Sequence, residues 1–152
     1  MIYKDKIAGL DLGDQWTGIA ISDNMHIIAT PFETIKTEEL HSFLDHFITK
    51  HTIKIIVVGI PITVRGKESE QTKKTKLLFL ELQNRFPDIT FVAMDERFSS
   101  KQASEIQKTR KKGTLEKIKA EKLKNHAIAA AFILDAYLQR LRFDREDTQE
   151  EE

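Results

Sequence analysis

The sequence predicts an α/β domain: a mixed five-stranded sheet flanked by helices. Three observations predict it. Strand-like and helix-like hydrophobic periods alternate along the chain. The first three apolar runs are short and tightly connected, as in an antiparallel meander. The later run Ile53 to Val58 is almost continuously apolar, as in a parallel strand covered on both faces.

Taken in order, Ile7 to Leu12 is a short strand closed by Gly13, and Thr17 to Ser22 alternates up to the turn at Asp23-Asn24. Ile27 to Thr30 is a third short strand before Pro31. From Thr37 the period becomes helical, with Leu40, Phe43, Leu44, Phe47 and Ile48 on one face. Thr37 is the expected N-cap, with Glu38 and Glu39 in the first turn and Lys50 and His51 near the last. After Ile53 to Val58, closed by Gly59-Ile60-Pro61, a polar loop leads to a helix striped by Leu78, Leu82 and Phe86. Thr90 to Met94 is the fifth strand, and Ser99 or Ser100 caps a helix to about Arg110. A lysine-rich loop or frayed helix end over 111–120 precedes the last helix, marked by Leu123, Ala127, Ala130, Ala131, Leu134, Leu138 and Leu141. The expected order is β-β-β-α-β-α-β-α-α. The domain is expected over residues 1–142, and 143–152 as an acidic, disordered tail without apolar periodicity.

Composition narrows the function classes. The 152 residues suit one domain, and six Gly, three Pro and no Cys exclude collagen-like and disulfide-scaffold chains. No stretch approaches the ~20 apolar residues of a membrane span, and the first residues have no signal-peptide pattern. A cytoplasmic location is the default expectation. The formal net charge is zero, from 24 basic and 24 acidic residues. Locally it divides: residues 101–125 carry a net +6 and residues 142–152 a net −4. The basic segment contains Lys108, Arg110, Lys111, Lys112, Lys117 and Lys119. A surplus of this size can neutralise phosphates, and binding would fall with salt. Arg65 and Lys67 extend the patch, and the helix start at Ser99-Ser100 can take a phosphate. The acidic tail is expected to compete with a phosphate-rich partner for these lysines.

Two acidic positions carry the chemistry. Asp11 lies in a strand between glycines, in Gly9-Leu10-Asp11-Leu12-Gly13. Buried unpaired, such a carboxylate is costly, and the glycines admit a close ligand or backbone. Asp95-Glu96-Arg97 follows the fifth strand, and carboxyl ends of strands are where open α/β sheets bind ligands. Carboxylates on neighbouring strands are the hard oxygen ligands that Mg²⁺ or Mn²⁺ takes beside water and phosphate. A pair of such ions activates water and stabilises the leaving oxygen of a phosphodiester. Trp16 can stack a base or pack against its own turn.

These residues resemble the YqgF family, the RuvC-like or Holliday-junction-resolvase-like family. The matching blocks are Gly9 to Gly13 with Gly18-Ile19-Ala20, then Val57 to Pro61 with Gly66. Asp95-Glu96-Arg97-Phe98-Ser99-Ser100 and Ala127 to Leu138 follow in the same order. The resemblance covers roughly residues 5–141. It implies a ribonuclease H-like domain and a metal-dependent endonuclease of the bacterial cytoplasm. It implies action on the 5′ end of pre-16S rRNA in ribosome biogenesis, with the precursor of the small ribosomal subunit as a partner. Cleavage of branched DNA as a Holliday junction resolvase, and a catalytically weak RNA-binding maturation factor, are the alternatives. Mg²⁺ or Mn²⁺ is the expected cofactor, and a monomer or homodimer the expected state.

The resemblance also assigns roles. Asp11 would bridge the metals, Glu96 would be the second ligand, and Asp95 would support them. Arg97, Ser99 and Ser100 would join the lysines on the nucleic acid. The family usually has an acid just before the Ala-rich run, where this chain has His126. Neutral imidazole can bind Mn²⁺ or orient water, so His126 is a candidate metal ligand. Asp135 is no substitute, since nine residues of helix carry it roughly 13 Å further on.

Overall fold

The computed structural model describes residues 2–61, 69–95 and 115–150, with side chains of the last helix over 125–148. The strands are β1 (Lys6–Leu12), β2 (Trp16–Ser22), β3 (Ala29–Lys36), β4 (Ile53–Ile60) and β5 (Thr90–Asp95). The helices are α1 (Leu40–His51), α2 (Glu70–Arg85) and α3 (Leu115–Glu150), and a 3-10 turn covers Thr37–Glu39. The sheet order is β3-β2-β1-β4-β5. The β1-β2-β3 meander is antiparallel, and β4 and β5 join parallel to β1. This is the mixed five-stranded sheet expected.

Alternation sorts each strand onto two faces. Ala8, Leu10, Leu12, Ile19, Ile56 and Val58 point to one layer, where Leu40, Leu44 and Phe47 of α1 and Leu82 of α2 bury against them. Ile7, Ala20 and Val57 point to the other, against Ala130, Ile133, Leu134 and Leu138 of α3. Each fully buried aliphatic side chain contributes about 1.5–3 kcal/mol relative to exposure.

Three local expectations are corrected. The third strand runs through Pro31 to Lys36 instead of stopping at Thr30. Proline lacks a ladder N–H, and here it sits on an edge strand beside a bulge: Ile19 pairs with Glu33 and Ala20 with Pro31, which skips Phe32. The skipped ring lies against Phe47 of α1, centroids 5.1 Å apart. Thr37 caps no helix. Its hydroxyl donates to the Gly13 carbonyl at 2.7 Å and lies 2.9 Å from the Thr17 hydroxyl, tying the β1-β2 turn to the start of the 3-10 turn.

The third correction concerns the last helix. It starts at Leu115 and continues through Glu150, so the stretch from Phe143 is helical rather than irregular. The helix spans ~54 Å at 1.5 Å per residue, far longer than any strand beneath it. Its far end is held by interactions that periodicity does not reveal. The Arg145 guanidinium stacks over the Tyr3 ring at 4.4 Å, and Tyr3 stacks on His26 at 4.2 Å. His26, 2% exposed with φ 58°, lies 2.8 Å through Nε2 from the Asp5 carbonyl and 3.3 Å through Nδ1 from Arg145. A carbonyl only accepts and a guanidinium only donates, so Nε2 carries the proton. The helix expected over about 99–110 lies outside the described residues.

Candidate metal and nucleic-acid site

Asp11 occupies the carboxyl end of β1 on the α3 face, paired with Gly18 of β2 and Gly59 of β4. Two flanking glycines on the same face explain how a helix reaches it. A Cβ on Gly9 would lie 2.8 Å from the Ala130 carbonyl and from Leu134 Cβ. A Cβ on Gly18 would overlap the His126 carbonyl. The bare backbone thus lets α3 settle on β1 and β2, with the Ala-rich stretch from Ala127 supplying small side chains. Settling there brings His126 to Asp11.

The two side chains meet with His126 Nδ1 3.2 Å from Asp11 Oδ2. Asp11 is buried, at 7% exposure, while His126 is partly open to solvent. In the hydrogen-bonded pair the carboxylate accepts, so Nδ1 carries the shared proton. Two cis ligands of an octahedral ion at 2.0–2.1 Å stand about 3 Å apart. The observed separation therefore suits one ion held between this oxygen and this nitrogen, with Nδ1 deprotonated. Among the described residues no cluster of three acidic, His or Cys side chains is present, so the pair stands alone there.

The other candidates divide. Asp95 ends β5 opposite Ile60. Met94, its neighbour, packs with the α3-facing cluster, and Phe91 with the opposite one. Alternation therefore directs Asp95 away from the face that carries Asp11. Arg65, Lys67, Glu96, Arg97, Ser99, Ser100, Lys108, Arg110, Lys111 and Lys112 lie outside the described residues. Lys117 and Lys119 lie in the first turns of α3. His126 is about three turns into that helix rather than at its opening. Asp135 accepts from Gln139 at 2.7 Å on the exposed side.

One site feature goes beyond the sequence reading. Trp16 has the parity of Gly18 and Ala20, so it shares the Asp11 face, and its cross-strand partner is Lys36. The pair borders a cleft of about 280 Å³ lined by Asp14, Gln15, Trp16, Lys36 and Glu38. On the opposite face, Lys74 of α2 reaches Asp14 at 3.4 Å, an exposed pair contributing little. The shared face of Trp16 was foreseeable only with the β1-β2 register known.

Known proteins resemble this arrangement in sequence and fold. The family model RuvX, described as Holliday junction resolvase, matches residues 5–140. A Sulfurihydrogenibium protein named "Putative pre-16S rRNA nuclease" is 38% identical over 146 residues, covering 94% of this chain and 96% of that one. A protein of the same name from Rubrobacter xylanophilus is 33% identical, covering 88% and 92%. Among solved structures, T. thermophilus RuvC in complex with a Holliday junction substrate superposes with a TM-score of 0.55 at 14% identity, covering 90% and 96%. At that identity the likeness speaks to fold, and the fold is that of RuvC, ribonuclease H-like.

Proposed function

The chain belongs to the RuvX family, also called YqgF, and from that membership we propose a metal-dependent endonuclease that trims the 5′ end of pre-16S rRNA in the bacterial cytoplasm. The observation that carries the proposal is the pairing of Asp11 with His126 at the carboxyl end of β1. Asp11 and His126 would hold Mg²⁺ or Mn²⁺, the imidazole favouring Mn²⁺. Glu96 is the proposed further ligand. It stands in the Asp95-Glu96-Arg97 block on which the family resemblance rests. When bound, the metal supplies an activated water and charge stabilisation at the scissile phosphate.

The remaining roles belong to the chain itself. Burial of Asp11 keeps its carboxylate in one orientation, and the α3 backbone over Gly18 fixes where the imidazole stands. Asp95, directed to the other face of the sheet, is given no part in holding the metal. The lysines of 101–125, with Arg65, Lys67, Arg97, Ser99 and Ser100, would track the phosphate backbone. The family description favours a second substrate, a DNA four-way junction, which would require a symmetric dimer.

The test is a cleavage assay on a pre-16S rRNA leader and a DNA four-way junction side by side, with Mg²⁺ and with Mn²⁺. Asp11→Asn is expected to lower cleavage by about 10³-fold or more, since metal stabilisation of the transition state is worth several kcal/mol. Wild-type cleavage by that variant would remove the assignment. Metal-independent RNA binding without cleavage would leave a maturation factor.

A further inference from the structure

The Trp16 cleft stands apart from the metal ligands but on the same face. Asp11 pairs with Gly18, which makes Trp16 its diagonal neighbour across the β1-β2 ladder, roughly 7–8 Å away. Lys36, paired with Trp16, lies beside the indole on the adjoining edge strand. The cleft is pre-formed rather than a gap between loose loops. Thr37 donates its N–H to the Gln15 carbonyl at 2.9 Å and its hydroxyl to the Gly13 carbonyl at 2.7 Å. Those bonds lock the β1-β2 turn against the start of the 3-10 turn, with Trp16 half-buried between them.

Its chemistry is mixed in a specific way. The indole offers an aromatic platform, and stacking on such platforms is how unpaired bases are held. Lys36 is an exposed point charge suited to a phosphate. The other charged walls are acidic. Asp14 is engaged by Lys74, while Glu38 makes no ion pair among the described residues. Carboxylates only accept hydrogen bonds. A base edge with two adjacent N–H donors, as guanine presents at N1 and N2, suits Glu38. Uracil, with a carbonyl on each side of its single N–H, does not.

We propose that Trp16, Lys36 and Glu38 form a nucleotide subsite that takes an unpaired guanosine next to the scissile phosphate, the base stacked on Trp16 and its donor edge on Glu38. The subsite rests on the reading of this face as a nucleic-acid site. It adds a source of sequence preference that metal ligands and a lysine track cannot provide, because phosphate contacts carry no base identity.

Trp16 is the only tryptophan in the chain, so selectively excited tryptophan emission reports on the subsite alone. The experiment titrates the full chain, in EDTA to prevent cleavage, with a short oligouridylate and with the same oligomer carrying one internal guanosine. Calorimetry provides an independent affinity. Saturable quenching is expected, with the guanosine oligomer binding roughly tenfold tighter, the scale of one matched base-edge pair. Trp16→Ala should weaken binding by roughly 5- to 150-fold, the loss of one base–aromatic stack. Trp16→Phe keeps a stacking ring and should retain most of the affinity, which separates lost stacking from misfolding. Glu38→Gln should erase the guanosine preference.

Calorimetric binding with unchanged emission would overturn the subsite, and so would wild-type affinity in Trp16→Ala. Cleavage of RNA with Trp16 unresponsive would remove the subsite and leave the nuclease reading standing. Guanosine-selective quenching without cleavage in Mg²⁺ or Mn²⁺ would do the reverse.

Discussion

Asp11 and His126 are 115 positions apart in the chain, yet their pairing depends most on a residue with no side chain. Gly18 lies under the helix at the point where His126 emerges, and a methyl group there would overlap the His126 carbonyl. A backbone cannot swing aside as a flexible side chain can, so α3 as a whole must lift. Gly18→Ala is therefore expected to destabilise the fold by about 1–3 kcal/mol, as overpacking does. Lifting the helix by about 1 Å would also cost roughly 10²-fold in cleavage, because the His126–Asp11 geometry opens. Urea unfolding and single-turnover cleavage measure the two effects, and a variant as stable as wild type would show the helix free to shift. At this scale the sequence was legible at the pair that the fold brings together. A carboxylate flanked by glycines and a histidine before an alanine run both announce themselves. The side of β5 that Asp95 takes was not legible, because it depends on where alternation stands at the strand end.

Among the elements, the meander and the βαβ units were readable from periodicity, while the edges were not. Proline suggested an end to β3 but instead marks its bulge. The last helix outran its hydrophobic stripe because propagation costs little once a helix is nucleated against a sheet. Arg, Gln and Glu are also good helix formers. What periodicity could not show is the terminal attachment, where Arg145 stacks over Tyr3 and donates to His26. Cation–π interactions contribute about 0.5–2 kcal/mol, and a part-buried hydrogen bond adds about 1 kcal/mol. Arg145→Ala should lower stability by about 1.5–3 kcal/mol and raise amide exchange in the last two turns of α3, leaving residues near His126 protected. A double-mutant cycle with Tyr3→Leu should return a coupling of about 0.5 kcal/mol or more. Additive effects would show that the stack holds nothing.

At the scale of the whole molecule, the zero net charge becomes a separation of charge along one helix. The lysines at 117, 119, 122 and 124 fall in the opening turns of α3, and Asp144, Glu146, Asp147 and Glu150 in its closing turns. From Lys124 to Asp144 the helix rises ~30 Å, against a Debye length of ~8 Å at physiological ionic strength. At that distance the acids near the end of α3 are screened from the lysines near its start, whereas the expectation of competition assumed an irregular segment able to fold back on them. Replacing Glu146, Asp147, Glu150, Glu151 and Glu152 by Gln is expected to change RNA affinity less than about twofold at ~0.15 M salt. The variant keeps Arg145, so the attachment to Tyr3 is preserved. Neutralising Lys117, Lys119, Lys122 and Lys124 should instead weaken binding and flatten the salt dependence. The slope of log K against log salt should fall by roughly 0.7–0.9 for each phosphate that a lysine no longer neutralises. Filter binding from about 0.05 to 0.3 M salt separates the two ends. If the tail variant bound several-fold tighter at the physiological end of that range, the acidic end would have to reach the RNA, and a straight α3 could not carry it there.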